Sequence, residues 1–305
     1  MPLVKWVATL FFLDAAGGDL EISQSRFPAD RADVGLLSAS VIIPTLNEVQ
    51  SVPELLERVG RAIGSRAHEI IVVDDGSTDG TIEAVQQLSP EYPVRLVVRR
   101  RPENGLSGAV LRGMAEAAGE CLAVMDADLQ HPPEEISRLL EPLETGEADM
   151  VIGSRHVAGS NIAENWGLWR RLNSRVAGLL ARPIAGKIHD PMSGFFAIRR
   201  EVFARARDLA PVGYKIALEL VCKCRPIRVM EIPIRFAQRT RGDSKLSLRE
   251  QLRYVRHLGR LYAFAFPRLA AAMGRAMPEH GMRQEIVIAR GQDAALHFQT
   301  DRRAA

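Results

Sequence analysis

Short apolar segments alternate with amphipathic ones through the first half of the chain. Strand-like apolar runs occupy 40–44, 69–73, 94–98, 121–125 and a stretch that begins at 150–152. Between them, apolar residues recur at helical spacing in 53–63, 82–88, 106–118 and 132–143. This alternation predicts an α/β fold, in which a mostly parallel sheet carries helices on both faces.

Polar side chains follow three of the predicted strands at the point where each strand ends. They are Asn47 and Glu48 after the first strand, Asp74 and Asp75 after the second, and Asp126 and Asp128 after the fourth. The carboxyl ends of parallel strands meet at one edge of a sheet, where ligands bind. The sequence therefore predicts a ligand site with three acidic clusters along that edge.

The third of these clusters has the spacing of a divalent-cation site. Asp126 and Asp128 would repel each other unless a cation joined them, and Gln130 can add a neutral oxygen. Such oxygen ligands suit Mg²⁺ or Mn²⁺, and Mg²⁺ is usually held by one or two carboxylates together with substrate phosphates. The alternative is that both aspartates only cap the turn before the helix at Pro132. The two acidic clusters upstream favour the metal site.

Composition narrows the functional class less than the motifs do. Hydrophobic residues make up 47% of the 305 residues and charged residues 25%, which excludes wholesale disorder. Three cysteines are too few for a disulfide scaffold and indicate a reducing compartment. A net charge of +3 is too small to indicate nucleic acid as a partner, and no apolar run is long enough to predict a membrane span.

The two ends of the chain differ from its central part. Residues 1–38 join a short apolar stretch to a polar linker, and we expect a poorly ordered or interfacial extension there rather than a cleaved signal. Residues 39–245 form the predicted globular domain, followed by an amphipathic helix within 246–272. Residues 273–305 show no periodicity, and we expect a flexible tail.

The amphipathic segment 246–272 begins with a capping-box pattern, Ser247 with Glu250. Its apolar residues recur at helical spacing and alternate with arginines. They are Leu248, Leu252, Val255, Leu258, Leu261 and Tyr262, with Arg249, Arg253, Arg256 and Arg260 between them. A basic amphipathic helix fits an anionic bilayer surface, and packing against the domain is an equally good interpretation.

Five segments of the chain together resemble a known enzyme family. They are IPTLNE at 43–48, VVDDGSTDGT at 72–81, DADLQHPP at 126–133, DPMSGFF at 190–196 and RTRGDSK at 239–245. In this order they are similar to family 2 inverting glycosyltransferases of the GT-A fold, and more narrowly to the dolichol-phosphate (polyprenyl-phosphate) mannosyltransferases. The likeness covers about residues 39–262.

The resemblance implies a nucleotide-sugar site with a bound Mg²⁺ or Mn²⁺. It places donor contacts at Pro44, Leu46, Glu48, Val72, Asp74, Asp75, Asp126, Ala127, Asp128, Arg155, Arg239 and Lys245. Of these, Asp126, Asp128 and Arg155 are the catalytic residues that it implies, and Asp126, Asp128 and Gln130 the metal ligands. Leu46 departs from the family's tyrosine, which puts the base preference in doubt. Turn capping is the alternative role for Asp74 and Asp75, and a helix N-terminal charge for Glu48.

The resemblance also implies a lipid phosphate acceptor. The helical segment 166–175 matches the family's acceptor side, which places the acceptor phosphate at Arg170 and Arg175. A phosphate monoester has a second pKa of about 6, so it is already ionised at neutral pH and needs no general base. We therefore expect a single displacement with inversion, and we expect Asp190 to shape a turn rather than to catalyse.

The expected activity is transfer of mannose from GDP-mannose to dolichyl or polyprenyl phosphate. One alternative keeps the chemistry but uses a UDP-sugar to transfer glucose or N-acetylglucosamine. A second alternative is an inactive scaffold subunit that binds a nucleotide sugar. We expect a peripheral protein on the cytoplasmic face of a membrane, with a separate membrane-anchoring subunit as a possible partner and no nucleic acid.

Overall fold

The computed structural model describes residues 39–100, 102, 104–162, 168–206, 208–210, 215–237 and 248–267. Within these ranges it describes the backbone alone at 161–162, 168–175 and 248–253. The expected N-terminal extension at 1–38, the tail at 273–305 and the basic segment at 239–245 lie outside the described residues.

A seven-stranded sheet forms the centre of the domain, in the order β3-β2-β1-β4-β7-β5-β8. Its strands are β1 (Ala39–Thr45), β2 (His68–Asp74), β3 (Val94–Val98), β4 (Cys121–Val124), β5 (Met150–Ser154), β7 (Phe196–Arg199) and β8 (Val229–Pro233). Only β7 runs antiparallel to its neighbours β4 and β5. A second, two-stranded sheet pairs β6 (Asn161–Ile162) with β9 (Arg235–Phe236).

Helices connect these strands and cover the sheet. They are α1 (Val52–Ile63), α2 (Thr81–Leu88), α3 (Gly105–Glu116), α4 (Ile136–Glu144), α5 (Leu168–Ala185), α6 (Arg200–Phe203), α7 (Ile216–Cys224) and α8 (Leu248–Ala265). A 3₁₀ turn at Pro133–Glu135 precedes α4. The predicted alternation through β5 is therefore confirmed, with boundaries that differ by at most four residues.

The apolar runs form strands because both faces of the sheet are covered. Every residue of β1 is buried, as parallel strands between two helical layers require. Two apolar clusters lie on the two sides of the sheet, one around Leu55 and Val72 and the other around Ile71 and Phe203. In α1 the buried positions recur every three or four residues, so the helix turns one apolar stripe toward the first cluster.

The position of β7 was not predicted from the sequence. It lies between β4 and β5 and begins at the edge of the sheet where those two strands end, because it runs in the opposite direction. The loop before it, at 190–195, is consequently placed at the ligand-binding edge of the sheet. A short strand at 196–199 thus carries the DPMSGFF segment into the region of the acidic clusters.

The helix α8 packs against the domain. Tyr254, Leu258 and Leu261 are buried in a third apolar cluster together with Ala181 of α5 and Leu218 of α7. Packing, one of the two interpretations of this amphipathic segment, therefore holds for its described apolar side chains. None of the helices in the described part of the chain is long and apolar enough to cross a membrane.

Candidate functional site

The loops after β1 and β2 are bonded to each other side by side. Thr45 Oγ1 donates a hydrogen bond of 2.9 Å to Asp74 Oδ2. The main-chain amide of Asn47 donates to Ser77 Oγ at 2.8 Å, and the main-chain amide of Thr78 donates to Asn47 Oδ1 at 2.9 Å. These bonds hold the two strand ends as one unit, and Asn47 keeps a left-handed backbone with φ of 60°.

Asp74 serves as the centre of this unit. Its carboxylate is fully buried and accepts four hydrogen bonds, from the amides of Gly76 and Ser77 and from the hydroxyls of Thr45 and Ser77. Both of its oxygens are therefore used inside the loop. This geometry favours turn shaping, the alternative role of Asp74, and a nucleotide contact through the carboxylate would have to replace one of these bonds.

Asp75 also has a partner within the protein. Arg99 Nε and Nη2 donate to its two carboxylate oxygens at 2.6 and 2.8 Å, and both side chains are nearly buried. Arg99 Nη2 also donates to the Gly105 carbonyl at 2.9 Å, so the pair joins the end of β2 to the start of α3. Nothing in the local sequence around Arg99 marks it as the partner of Asp75, so this role was not predictable from the sequence.

The predicted donor-binding residues differ in how their side chains are placed. Leu46 is 42% exposed, as a side chain that packs against a nucleotide base would need to be. Val72, by contrast, is fully buried in the core, and Pro44 and Ala127 are also buried. The side chain of Val72 therefore has no exposed surface, and the predicted donor contact of Val72 would have to come from its main chain.

The turn after β4 is supported by a buried histidine. The Asp126 amide donates to His131 Nδ1 at 3.2 Å, so this nitrogen carries no proton. Burial lowers the pKa of His131 to about 4, against the smaller raising effect of Asp128. The His131 ring stacks on Phe195 with 5.2 Å between ring centroids. His131 therefore holds the main chain of Asp126 as a neutral ring, a role that the sequence analysis did not assign.

Asp126 and Asp128 follow β4 as predicted. The Asp126 side chain is 33% exposed, in contrast to the buried Asp74. The main-chain amide of Gln130 donates to Asp128 Oδ1 at 3.1 Å. Leu129, between these two residues, has a φ of 59°, which turns the chain sharply. Gln130 Nε2 donates to the Ala237 carbonyl at 3.3 Å, so this turn is bonded to the chain that leads toward the basic segment at 239–245.

The loop at 190–195 approaches the Asp126 carboxylate closely. A Cβ atom added to Gly194 would lie 3.1 Å from Asp126 Oδ2 and 3.3 Å from His131 Cε1. Glycine at this position therefore leaves the space that the Asp126 carboxylate occupies. The DPMSGFF segment, one of the five motifs of the family resemblance, thus lies directly beside the predicted metal ligand Asp126.

Arg155 follows β5 and is held by the first residue of the same loop. Its Nε and Nη2 donate to Asp190 Oδ2 and Oδ1 at 2.7 and 2.8 Å. The guanidinium carbon lies 5.3 Å from the centre of the Phe236 ring. Burial raises the pKa of the Asp190 carboxyl, but the charge of Arg155 and its hydrogen bonds outweigh burial and leave that pKa below its usual value. Asp190 is therefore ionised and paired at neutral pH.

The edge of the sheet brings most of the predicted site together. One strand, β7, separates β4 from β5, so the ends that carry Asp126 and Arg155 lie about 10 Å apart at the usual strand spacing. Among the described residues, no group of three or more His, Cys, Asp or Glu side chains could hold a metal ion alone. Arg239 and Lys245 lie outside the described residues, as do the side chains of Arg170 and Arg175 on α5.

A family model described as glycosyl transferase family 2 matches residues 40–206, which include the ends of β1, β2, β4 and β5. This chain belongs to glycosyl transferase family 2. The predicted family and the GT-A type of α/β fold are thereby confirmed.

Relatives within family 2 share much of this chain. A dolichol-phosphate mannosyltransferase of Pyrococcus furiosus is 47% identical over 228 residues, which cover 74% of this chain and 64% of that protein. The dolichol-phosphate mannosyltransferase of Saccharomyces cerevisiae is 40% identical over 238 residues, 74% of this chain and 88% of that protein. This chain thus spans less than two thirds of the Pyrococcus relative.

A solved structure has the same fold at lower sequence identity. Glucosyl-3-phosphoglycerate synthase from Mycobacterium tuberculosis, in complex with Mn²⁺, uridine diphosphate and glucosyl-3-phosphoglycerate, gives a TM-score of 0.57 with 22% identity. The superposition covers 83% of this chain and 88% of that one. At this identity the likeness supports the fold alone.

Proposed function

We propose that this chain transfers mannose from GDP-mannose to a polyprenyl or dolichyl phosphate, with inversion at the anomeric carbon. The relatives named above are dolichol-phosphate mannosyltransferases, and the four motifs that the structure describes lie at one edge of the sheet. The observation that carries the proposal is the placement of Asp126 and Asp128 one strand away from the paired Arg155. A sugar diphosphate fits between an acidic and a basic strand end about 10 Å apart.

The residues after β4 fit a divalent cation such as Mg²⁺ or Mn²⁺. Asp126 and Asp128 supply carboxylate oxygens, and Gln130 supplies an amide whose nitrogen already donates to Ala237. These three side chains offer only oxygen ligands and leave coordination positions of the cation unfilled, as expected where substrate phosphates provide the further ligands. A cation held by these residues would offset the charge of the departing nucleoside diphosphate.

The acceptor phosphate needs to be aligned rather than deprotonated. In the proposed reaction one of its oxygens bonds to the anomeric carbon, while the bond to the diphosphate breaks and GDP leaves with the electron pair. Arg155 supplies positive charge at the end of β5, and we propose that Arg170 and Arg175 do so from α5. Asp190 is not available as a base, because its carboxylate is buried and paired with Arg155.

We also propose that the protein works at the cytoplasmic surface of a membrane, since its lipid acceptor has an apolar tail. Three exposed apolar side chains on α5, those of Val176, Leu179 and Leu180, support this placement. The Tyr262 hydroxyl donates to the Leu180 carbonyl, so this face of α5 lies beside α8. A separate membrane-anchoring subunit stays a prediction.

A UDP-sugar is the second candidate donor, because Leu46 replaces the tyrosine expected by resemblance and is exposed at the base-binding loop. An inactive scaffold is disfavoured, since such a protein has no need for the precise support of Asp126 by His131 and Gly194.

A transfer assay tests the proposal. Radiolabelled GDP-mannose and UDP-glucose are supplied side by side with polyprenyl phosphate, with Mg²⁺ or Mn²⁺ and then with excess chelator. We expect labelled lipid from GDP-mannose only, and its loss when the cation is removed. Labelled lipid from UDP-glucose alone would select the second donor, and no labelled lipid from either would exclude the transferase.

A further inference from the structure

A second carboxylate lies behind the pair of Arg155 and Asp190. Glu231 of β8 accepts a hydrogen bond of 2.9 Å from the Asp190 amide and one of 2.8 Å from the His189 amide. Its Oε2 also lies 2.8 Å from His189 Nδ1. Because β8 pairs with β5, Glu231 is anchored in the strand next to the one that carries Arg155. The turn at 189–190 is therefore fastened to the sheet.

Asp190 contacts Arg155 at three points. In addition to the two guanidinium bonds, the Arg155 amide donates to Asp190 Oδ2 at 3.0 Å. Asp190 is 1% exposed and Arg155 13%, so little of the guanidinium reaches solvent. Because the Phe236 ring lies against the guanidinium of Arg155, the Asp190 carboxylate determines both the direction and the plane of that guanidinium.

Burying a charge pair is costly, and such a pair often adds little to stability compared with apolar residues. A role in orientation accounts for its presence at the ligand-binding edge better than a role in stability does. We propose that Asp190 is a positioning residue that fixes Arg155 for the reacting phosphate groups, with Glu231 holding Asp190 in place. This inference rests on the proposed function, because it assigns Arg155 to phosphate.

Charge neutralisation gives this role a kinetic signature. Asp190→Asn keeps the shape but removes the negative charge, so Arg155 becomes a more mobile and less compensated cation. A less compensated cation binds anionic substrates at least as tightly in the ground state, whereas a mobile one aligns them less well. The variant should therefore have a lower kcat with an unchanged or lower KM, and a purely structural defect would not produce this split.

A double-mutant cycle tests the inference. Asp190→Asn, Arg155→Met and the double variant are compared with the wild-type chain by kcat and KM. We expect Asp190→Asn to lower kcat about tenfold in the wild-type chain and less than about twofold in the Arg155→Met background. Equal factors in both backgrounds, or a raised KM with a normal kcat, would refute the positioning role.

Two further variants keep the test informative if Arg155→Met does not fold. Glu231→Gln leaves Arg155 and Asp190 intact and is expected to lower kcat a fewfold, about threefold, with KM unchanged. Asp149→Asn is the control, because Asp149 is a buried carboxylate that pairs with an exposed arginine, Arg228, just before the other end of β5. It should lose stability but keep kcat and KM. A kcat loss in Asp149→Asn equal to that in Asp190→Asn would remove the special role of Asp190.

Calorimetric binding of GDP-mannose with Mn²⁺ separates this inference from the proposed function. If the wild-type chain binds the donor and Asp190→Asn binds it more tightly only when Arg155 is present, the positioning role stands even where no transfer is detected; weaker binding by Asp190→Asn would count against it. If transfer is detected and Asp190→Asn changes donor affinity and kcat by the same factors with and without Arg155, the inference fails and the proposed function stands.

Discussion

Two acidic clusters of this protein occupy equivalent places and have different surroundings. Asp74 follows β2, is fully buried and accepts four hydrogen bonds from its own loops. Asp126 follows β4, has a third of its side chain exposed and is supported through its main chain by His131. The same residue type at the same edge of one sheet is thus satisfied once within its own loops and is once partly exposed to solvent.

The difference lies in which groups surround each carboxylate. Hydroxyl and amide donors from two adjacent loops satisfy Asp74, whereas Asp126 lies beside the buried ring of His131 and a glycine that leaves room for its carboxylate. A carboxylate saturated by internal donors contributes to stability, and an accessible one can take a cation. Three substitutions can break or sharpen this contrast.

The largest effect is expected for Asp128→Ala. Removal of a carboxylate from the proposed cation site should lower transfer by at least about 10²-fold, because the charge of the leaving diphosphate is no longer offset. The urea midpoint should stay close to that of the wild-type chain. Transfer assays across a range of Mn²⁺ concentrations, with urea unfolding as the control, measure both. Near-normal turnover would remove Asp128 from the metal site.

The reverse pattern is expected for Asp74→Ala. Two amides and two hydroxyls lose their acceptor, and the free energy of unfolding should fall by about 3 kcal/mol. Donor binding by the fraction that stays folded should change much less than stability does. Urea titration and calorimetry with GDP provide the two readings. If the variant were as stable as the wild type but failed to bind GDP, the carboxylate would be a nucleotide ligand instead.

The smallest effect is expected for Gly194→Ala. The new methyl group must displace the Asp126 carboxylate by a few tenths of an ångström, which should lower kcat/KM about tenfold. Gly178→Ala on α5 is the matched control, since no atom lies within 4 Å of its added Cβ, and it should leave kcat/KM unchanged. Equal activity in the two variants would show that the Asp126 carboxylate tolerates displacement.

Much of the fold was predictable because the local pattern of apolar residues indicates which segments are buried. An apolar run flanked by helical repeats has to lie inside a covered sheet, and the predicted strands at 69–73 and 94–98 agree with β2 and β3 to within one residue at each end. The acidic clusters were also predictable as a group, since every parallel strand in such a sheet ends at the same edge.

Contacts between distant residues were not predictable in this way. The order of strands, with β7 antiparallel between β4 and β5, depends on which edges pair, and a four-residue apolar run carries no sign of its partner. The two interpretations of α8 were equally good from the sequence, because one apolar stripe suits either a bilayer or a protein surface. The structure shows that Tyr254, Leu258 and Leu261 pack against α5 and α7, a contact that only the tertiary fold reveals.

The pattern of apolar and polar residues indicates the class of sheet, the edge at which a ligand is expected and the residues available there. The folded chain shows which of these residues already have partners within the protein. Asp75 pairs with Arg99 across 24 positions and Asp190 with Arg155 across 35, separations at which spacing along the chain carries no information about contact. Whether a carboxylate shapes a turn, orients an arginine or faces a substrate follows from the donors that folding brings within about 3 Å of it.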